Sequence, residues 1–361
     1  MIVICLDGCG PEYLACADTP TLDALAQAGT YCQVRAMVPT VTNVNNSSII
    51  TAAYPRKHGI TGNYFRDEMG NHQFMESADL ILCPTIFDLL RQQGRSSALL
   101  TVKDKLCTLI GVGATISISA EQPPTWLVSK LGPPPPIYST EVNYWLMLAL
   151  HELLRSENRF DFIYLATSDY PLHKYSPEDE KAQHYLWKFD KLLGNVICET
   201  HDLEVVVTAD HGMNAKTRAI DPAKVLQQQG IHAEVVPVIK DRYVAHHSNL
   251  GGAAYLYLDQ LKLADEAIDV LQMRCGVEAV LTREEAVSLY HLHPNRIGDL
   301  FLLAAADTVF GNLEMAEVDV AVRSHGSLHE QMVPLIAWGQ RATRSIFVEN
   351  KDAAKWIPEP G

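Results

Sequence analysis

Six short stretches of this chain are almost wholly apolar, and most of them are followed within two residues by an aspartate. They cover residues 2–6, 97–102, 162–167, 204–209, 299–305 and 332–338. Runs this short with no polar alternation fit strands covered on both faces, as in a parallel sheet lying between helices. Helical patterns separate most of them. Thr19-Pro20-Thr21 offers a cap and a first-turn proline, and Gly29 a stop. A second helix is predicted over about 139–156, after the extended proline run 133–136. A third opens at Ser176-Pro177-Glu178-Asp179 and ends at Gly194. The alternation predicts an α/β fold with a mostly parallel sheet between helices. Residues 214–321 break the rhythm with shorter, mixed segments and are read as a smaller inserted cap domain. The core is then 1–213 together with 322–361.

The chain has 361 residues, 47% hydrophobic and 20% charged, which excludes disorder, collagen-like repeats and coiled-coil rods. Its formal net charge of -14 repels phosphate polymers and anionic lipid. The expected partner is therefore a small molecule, with no nucleic acid and no membrane, and self-association as a homo-oligomer is compatible with the composition. If the ligand is itself an anion, the local field must reverse the global one. The 8 cysteines show no CxxC pair or dense framework, as expected for free thiols of a reducing cytoplasm. Met1 leads straight into the first apolar run without a signal peptide, and a cytoplasmic location is expected.

Ligands of open α/β sheets gather where parallel strands end. Here the ends carry Asp7; Asp169 followed by His173; and Asp210-His211-Gly212. Ser324-His325-Gly326 precedes the last strand. Taken singly, Asp7 is as good a turn former as a ligand, and Asp169 with His173 could be a helix-surface pair. Together they supply three aspartates and three histidines, the donor set of Zn²⁺ and similar divalent ions. Thr40 and Thr42 lie just before a predicted helix, where a hydroxyl beside a metal could act as a nucleophile on phosphorus. Either could equally be a helix cap.

These fragments occur in this order in the alkaline phosphatase superfamily, which the chain resembles from Asp7 to Pro334. More narrowly, it resembles the phosphonoacetate hydrolase family. The segments that carry this are Thr42-Asn43-Val44-Asn45-Asn46, His58-Gly59-Ile60-Thr61-Gly62-Asn63, Lys103-Asp104-Lys105-Leu106 and Asp210-His211-Gly212-Met213-Asn214-Ala215-Lys216. The resemblance implies an alkaline-phosphatase-like core with a cap and two divalent metal ions, zinc being expected. It assigns one metal to Asp7, Asp210 and His211, beside Thr42 as nucleophile, and the other to Asp169, His173 and His325. Asn63 would donate to a phosphoryl oxygen. Lys103 and Lys105, on an extended segment and pointing the same way, would hold the carboxylate of a small anionic organophosphorus substrate. Val44 departs from the family, which commonly has proline there. His329 is a rival to His325, whose Ser-His-Gly context is the better match. His246 and His247 match a paired-histidine segment and receive no role.

The implied activity is cleavage of the carbon–phosphorus bond of phosphonoacetate to acetate and phosphate through a phospho-threonine intermediate. Two alternatives stand beside it. One is a nucleotide pyrophosphatase/phosphodiesterase acting on phosphoesters at the same site. The other is a non-catalytic phosphonate- or phosphate-binding protein.

Overall fold

The computed structural model describes residues 1–200, 203–241, 249–341 and 344–355. Its seven-stranded sheet has the order Thr30–Arg35, Met332–Trp338, Val205–Thr208, Ile2–Cys5, Phe162–Ala166, Ser97–Thr101, Ile116–Ser119. Ile2–Cys5 pairs in parallel with both Phe162–Ala166 and Val205–Thr208. Every residue of these three strands is buried, which is why the sequence shows no alternation. Cys5 is in register with Ala166 on one side and Thr208 on the other. Asp7, Asp169 and Asp210 therefore leave the sheet along one edge. Met332–Trp338 runs against both neighbours, so the sheet is mostly, not wholly, parallel.

One predicted strand belongs elsewhere. Leu300–Ala304 lies in a four-stranded antiparallel sheet, ordered Ala233–Pro237, Ala253–Leu258, Leu300–Ala304, Val277–Thr282. Phe301 and Leu303 face the core shared with the large sheet, while Leu300 and Leu302 face a second cluster with Ile220, Leu226 and Leu271. Both faces are covered, so an antiparallel strand takes on the uniform apolar character of a parallel one. A three-stranded sheet completes the region. There Asn214–Ile220 leaves the edge that carries Asp210, and Glu317–Ser324 returns to it antiparallel, with Asn214 opposite Ser324. That register sets His211 and His325 side by side.

The helices also differ in detail from the sequence reading. Pro20–Ala28 stops at Gly29 as expected, but Thr19 makes no side-chain cap. The first-turn donors go instead to the Asp190 carboxylate, from Thr21 N at 3.0 Å and Leu22 N at 2.8 Å. Glu141–Arg155 forms close to its predicted bounds. Glu180–Glu199 begins later than predicted, with Asp179 accepting from Lys181 N at 2.8 Å, and it continues through Gly194. A Cβ on Gly194 would meet Thr21 Oγ1 at 2.9 Å, so this glycine permits close helix packing and does not end the helix. All 8 cysteines are free. Among the described residues, no helix is long and apolar enough to cross a membrane.

Candidate active site

The helix Thr42–Thr51 is buried, yet much of it is polar: Asn43, Asn45, Asn46, Ser47 and Ser48. Hydrogen bonds explain most of this. Asn45 clamps the preceding loop, accepting from Met37 N at 2.7 Å and donating to Met37 O at 3.1 Å. Asn43 Nδ2 donates to Met75 O at 2.7 Å. Asn46 Oδ1 accepts from the Tyr164 hydroxyl at 2.7 Å, and its Nδ2 donates to Asp210 Oδ2 at 3.3 Å. The sequence reading did not single out Asn45 and Asn46 as positioning groups. Their signal was a run of small polar residues inside a segment too buried to tolerate them unpaired.

That scaffold separates the two threonines. Thr40 is fully buried; its hydroxyl donates to Ser327 O at 2.8 Å and accepts from Gly326 N at 3.0 Å. Thr42 is the first residue of the helix, is partly exposed, and holds its Oγ1 3.4 Å from His211 Nε2. Only Thr42 lines the cleft.

The three histidines share one design. His173 Nδ1 lies 2.7 Å from Arg323 O, His211 Nδ1 2.9 Å from Gly212 O and His325 Nδ1 2.7 Å from Thr40 O. A carbonyl can only accept, so each Nδ1 carries a proton and each Nε2 is the nitrogen turned toward the cluster. Those Nε2 atoms face carboxylates. His173 Nε2 is 2.8 Å from Asp169 Oδ2, and His325 Nε2 is 3.8 Å from the same oxygen. His211 Nε2 lies 3.4 Å from Asp7 Oδ1 and 3.5 Å from Asp210 Oδ2. The His211 and His325 rings stack at 3.5 Å with 8° between their planes.

Imidazole nitrogens and buried carboxylates that converge in this way make a donor set for a shared cation. Asp7 Oδ1 is buried without a hydrogen-bond donor. Burial, then Asp169 and Asp210, push the Asp7 carboxyl well above the usual range. Burial, then His211 and His173, hold His325 well below the ordinary histidine value and keep it neutral. Asp7, Asp210 and His211 form one group with donor atoms within 4.8 Å of one another; Asp169, His211 and His325 form another. His211 thus stands near both groups, and His173 joins the second through Asp169. The donors fit divalent cations. Gly8 allows the crowding: its φ is +77°, and a Cβ would meet Asp169 Cβ at 3.2 Å. His329 stays apart, its ring paired with Glu278. His246 and His247 lie outside the described residues.

A buried ion pair braces this cluster from behind. Lys216 Nζ lies 2.8 Å from Glu330 Oε1, with both side chains fully buried. Glu330 Oε2 accepts from Ser327 N and Oγ, and its backbone oxygen accepts from Gly212 N at 2.8 Å. The pair ties the loop after His211 to the loop after His325.

Asp7, Thr42, Asn63, Lys103, Lys105, Asp169 and His325 line one cleft of about 510 Å³, its open mouth included. Asn63 Oδ1 accepts from Asn43 N at 3.4 Å, which leaves its Nδ2 to donate. The lysines are not on an extended segment. Lys103 is the N-cap residue of the helix Asp104–Ile110, and Lys105 sits in its first turn. They still share the cleft because the cap residue keeps extended backbone angles. Burial lowers the Lys103 pKa, but Asp169, Asp241 and Asp7 outweigh it and raise the value above the ordinary one. Lys105 Nζ pairs with Asp241 Oδ1 at 2.6 Å. Asp241 lies 136 residues further along the chain, and no local pattern marks it.

The fold, the strand-end Asp/His cluster and the threonine at a helix start together place the chain in the alkaline phosphatase superfamily. The sequence model of the type I phosphodiesterase/nucleotide pyrophosphatase family matches residues 1–328, and the chain belongs to this family. Among solved structures, it is similar to phosphonoacetate hydrolase from Sinorhizobium meliloti 1021. In complex with phosphonoformate that structure gives a TM-score of 0.89 and 33% identity, covering 99% of this chain and 94% of that one. The complex with phosphonoacetate gives 0.89 and 32% over the same shares. Murine ectonucleotide pyrophosphatase/phosphodiesterase 5 shares the fold, with a TM-score of 0.72 and 17% identity over 99% of this chain and 93% of that one. Curated relatives include a venom phosphodiesterase of Macrovipera lebetinus, 29% identical over 59% of this chain and 25% of the relative. Ectonucleotide pyrophosphatase/phosphodiesterase family member 1 of Mus musculus is 28% identical over 59% of this chain and 24% of the relative. The chain thus spans about a quarter of the length of these relatives.

Proposed function

We propose that the chain hydrolyses phosphonoacetate to acetate and phosphate through a phosphothreonine on Thr42. The observation that carries this reading is a single cleft with Thr42 and the Asp/His groups at one end and Lys103 and Lys105 at the other. Asp7, Asp210 and His211 would hold one divalent ion beside Thr42, and Asp169, His173 and His325 a second, with zinc matching the donors. Bound there, the ions supply charge that polarises the phosphoryl oxygens and eases deprotonation of a neighbouring hydroxyl.

The protein's own groups do the rest. Thr42 Oγ attacks phosphorus, and the carbon–phosphorus bond breaks with its electron pair passing to carbon. That pair delocalises onto the carboxylate as an enediolate, whose added charge Lys103 neutralises. Solvent water protonates the carbon, offset by the proton that the Thr42 hydroxyl gives up to solvent, and acetate is formed. Asn63 Nδ2 donates to a phosphoryl oxygen during the transfer. Water then attacks the phosphorus of the phosphothreonine, which releases phosphate and restores the Thr42 hydroxyl.

Residues 214–321 act in this reading as a cap on the core 1–213 and 322–361. The support is that the chain leaves the site along Asn214–Ile220 and returns along Glu317–Ser324. The free cysteines support a reducing, cytoplasmic setting, and the charge of -14 supports a small anionic substrate over nucleic acid. The curated phosphodiesterase relatives favour a second reading, hydrolysis of phosphoesters at the same site.

Phosphate release from phosphonoacetate, 2-aminoethylphosphonate and p-nitrophenyl phosphate separates the two. Phosphonoacetate should be the best substrate by kcat/KM. A preference for p-nitrophenyl phosphate would overturn the carbon–phosphorus reading in favour of the phosphoester one. Binding of phosphonoacetate without turnover of any of the three would support a non-catalytic binder.

A further inference from the structure

We infer that Asp241 sets the charge of the tail end of the cleft and restricts it to phosphonates bearing a single small carboxylate. This rests on the proposed carboxylate-binding role of the lysines and assigns a specificity role to a residue outside their motif.

Asp241, Lys103 and Lys105 line both the inner cleft and a larger outer cavity of about 1290 Å³, mouth included. They therefore stand where the two spaces meet. Asp241 Oδ1 lies 2.6 Å from Lys105 Nζ, and the side chains are only 12% and 22% exposed. The pair is mostly withdrawn from water, so each charge is felt by a neighbour in the cleft. The Asp241 backbone is also held, its N–H donating to Asn249 Oδ1 at 3.0 Å.

Charge arithmetic follows. Lys103 has no carboxylate within ion-pair distance among the described residues, whereas Lys105 is already matched. Counted over the described residues, the subsite thus presents a net of one positive charge, the complement of one carboxylate. A second anionic group on the substrate tail would face Asp241 and, further out, Glu76, Asp104 and Glu121 on the outer wall. Like charges at such range are strongly unfavourable in a partly desolvated cleft. Lys105 acts less as a second carboxylate ligand than as an anchor that holds Asp241 in place.

The test compares phosphonoacetate with 2-phosphonosuccinate, which carries two carboxylates, using p-nitrophenyl phosphate as a tail-free reference. Wild type, Asp241→Asn, Asp241→Ser and Asp241→Glu are assayed for phosphate release after thermal melts confirm folding. Both neutral variants should raise kcat/KM for the dicarboxylate relative to phosphonoacetate by about tenfold or more, mainly through KM. Asp241→Glu, which keeps the charge, should retain the wild-type ratio. A ratio within about twofold of wild type in a folded neutral variant overturns the inference. So does an equal loss on all three substrates, which would make Asp241 a structural anchor only. Wild type that turns over p-nitrophenyl phosphate but neither phosphonate overturns the proposed function itself. Wild-type turnover of phosphonoacetate with an unmoved ratio overturns the specificity role alone.

Discussion

The two ends of the cleft are built on opposite principles. At the phosphoryl end, three carboxylates and three imidazoles are packed into the interior, with every Nδ1 tied to a backbone carbonyl. Negative charge is concentrated there. At the tail end, two cations sit at the start of the seven-residue helix Asp104–Ile110, partly open to solvent, and one of them is already paired. In the proposed function, the phosphoryl end carries the groups shared with phosphoester hydrolysis, and the tail end tells one substrate from another.

The sharpest way to break this contrast is at Thr42. Thr42→Ala should reduce turnover of every substrate by a factor on the order of 10³ or more, tail or no tail. Metal content by elemental analysis should stay at the wild-type level, since the Asp and His donors are untouched. Wild-type rates in Thr42→Ala would end the covalent route. Stripping divalent ions with a chelator is the companion experiment. Asp7, Asp169 and Asp210 would then be left crowded together, and the thermal midpoint should fall by several degrees, as measured by calorimetry.

Glu330 tests whether the phosphoryl end depends on its brace. Glu330→Gln leaves the fully buried Lys216 ammonium without its counter-charge, a loss on the order of 3–5 kcal/mol in stability. Denaturant melts report that loss. Because Glu330 joins the loops that follow His211 and His325, metal affinity should weaken in the same variant while Lys103-dependent selectivity is unchanged. Wild-type metal affinity in a destabilised but folded Glu330→Gln would reduce the brace to a purely structural element.

How much of this was legible in the sequence follows the same division. Parallel strands all finish at one sheet edge, so a polar cluster after each apolar run already brings Asp7, Asp169 and Asp210 together. The histidines follow because they are neighbours of those strand ends or, for His325, of a strand registered to Asn214. Long-range pairings were not legible. Leu300–Ala304 reads as a parallel-sheet strand because two apolar clusters cover its two faces, which erases the period-2 signal. Gly194 reads as a stop because sequence does not show Thr21 packed against it. Asp190 capping a helix some 170 positions away, and Asp241 on Lys105, exist only in three dimensions. Such contacts leave no spacing rule to find.

Lys103→Ala moves the experiment to the tail end. With no carboxylate paired to it among the described residues and a pKa raised by Asp169, Asp241 and Asp7, Lys103 keeps its proton through the neutral range. Its loss should lower kcat/KM for phosphonoacetate by about 10–10² and leave p-nitrophenyl phosphate within about threefold. An equal fall for both substrates would place Lys103 in the phosphoryl machinery and dissolve the two-ended picture.

The smallest effect is expected at Lys105, and it is the most discriminating because the family motif treats the two lysines alike. If both clamp the carboxylate, Lys105→Ala should match Lys103→Ala. If Lys105 mainly anchors Asp241, its removal takes away a cation whose charge is already balanced at 2.6 Å. The direct loss of attraction for phosphonoacetate is then small, about two- to fivefold in KM, because Lys103 still supplies the unmatched charge. With the Lys105 charge removed from beside it, Asp241 would oppose a second carboxylate more strongly, so 2-phosphonosuccinate should lose more than phosphonoacetate. Steady-state KM values for the two lysine variants, measured side by side on both phosphonates, decide between two equal clamps and one clamp with an anchored counter-charge.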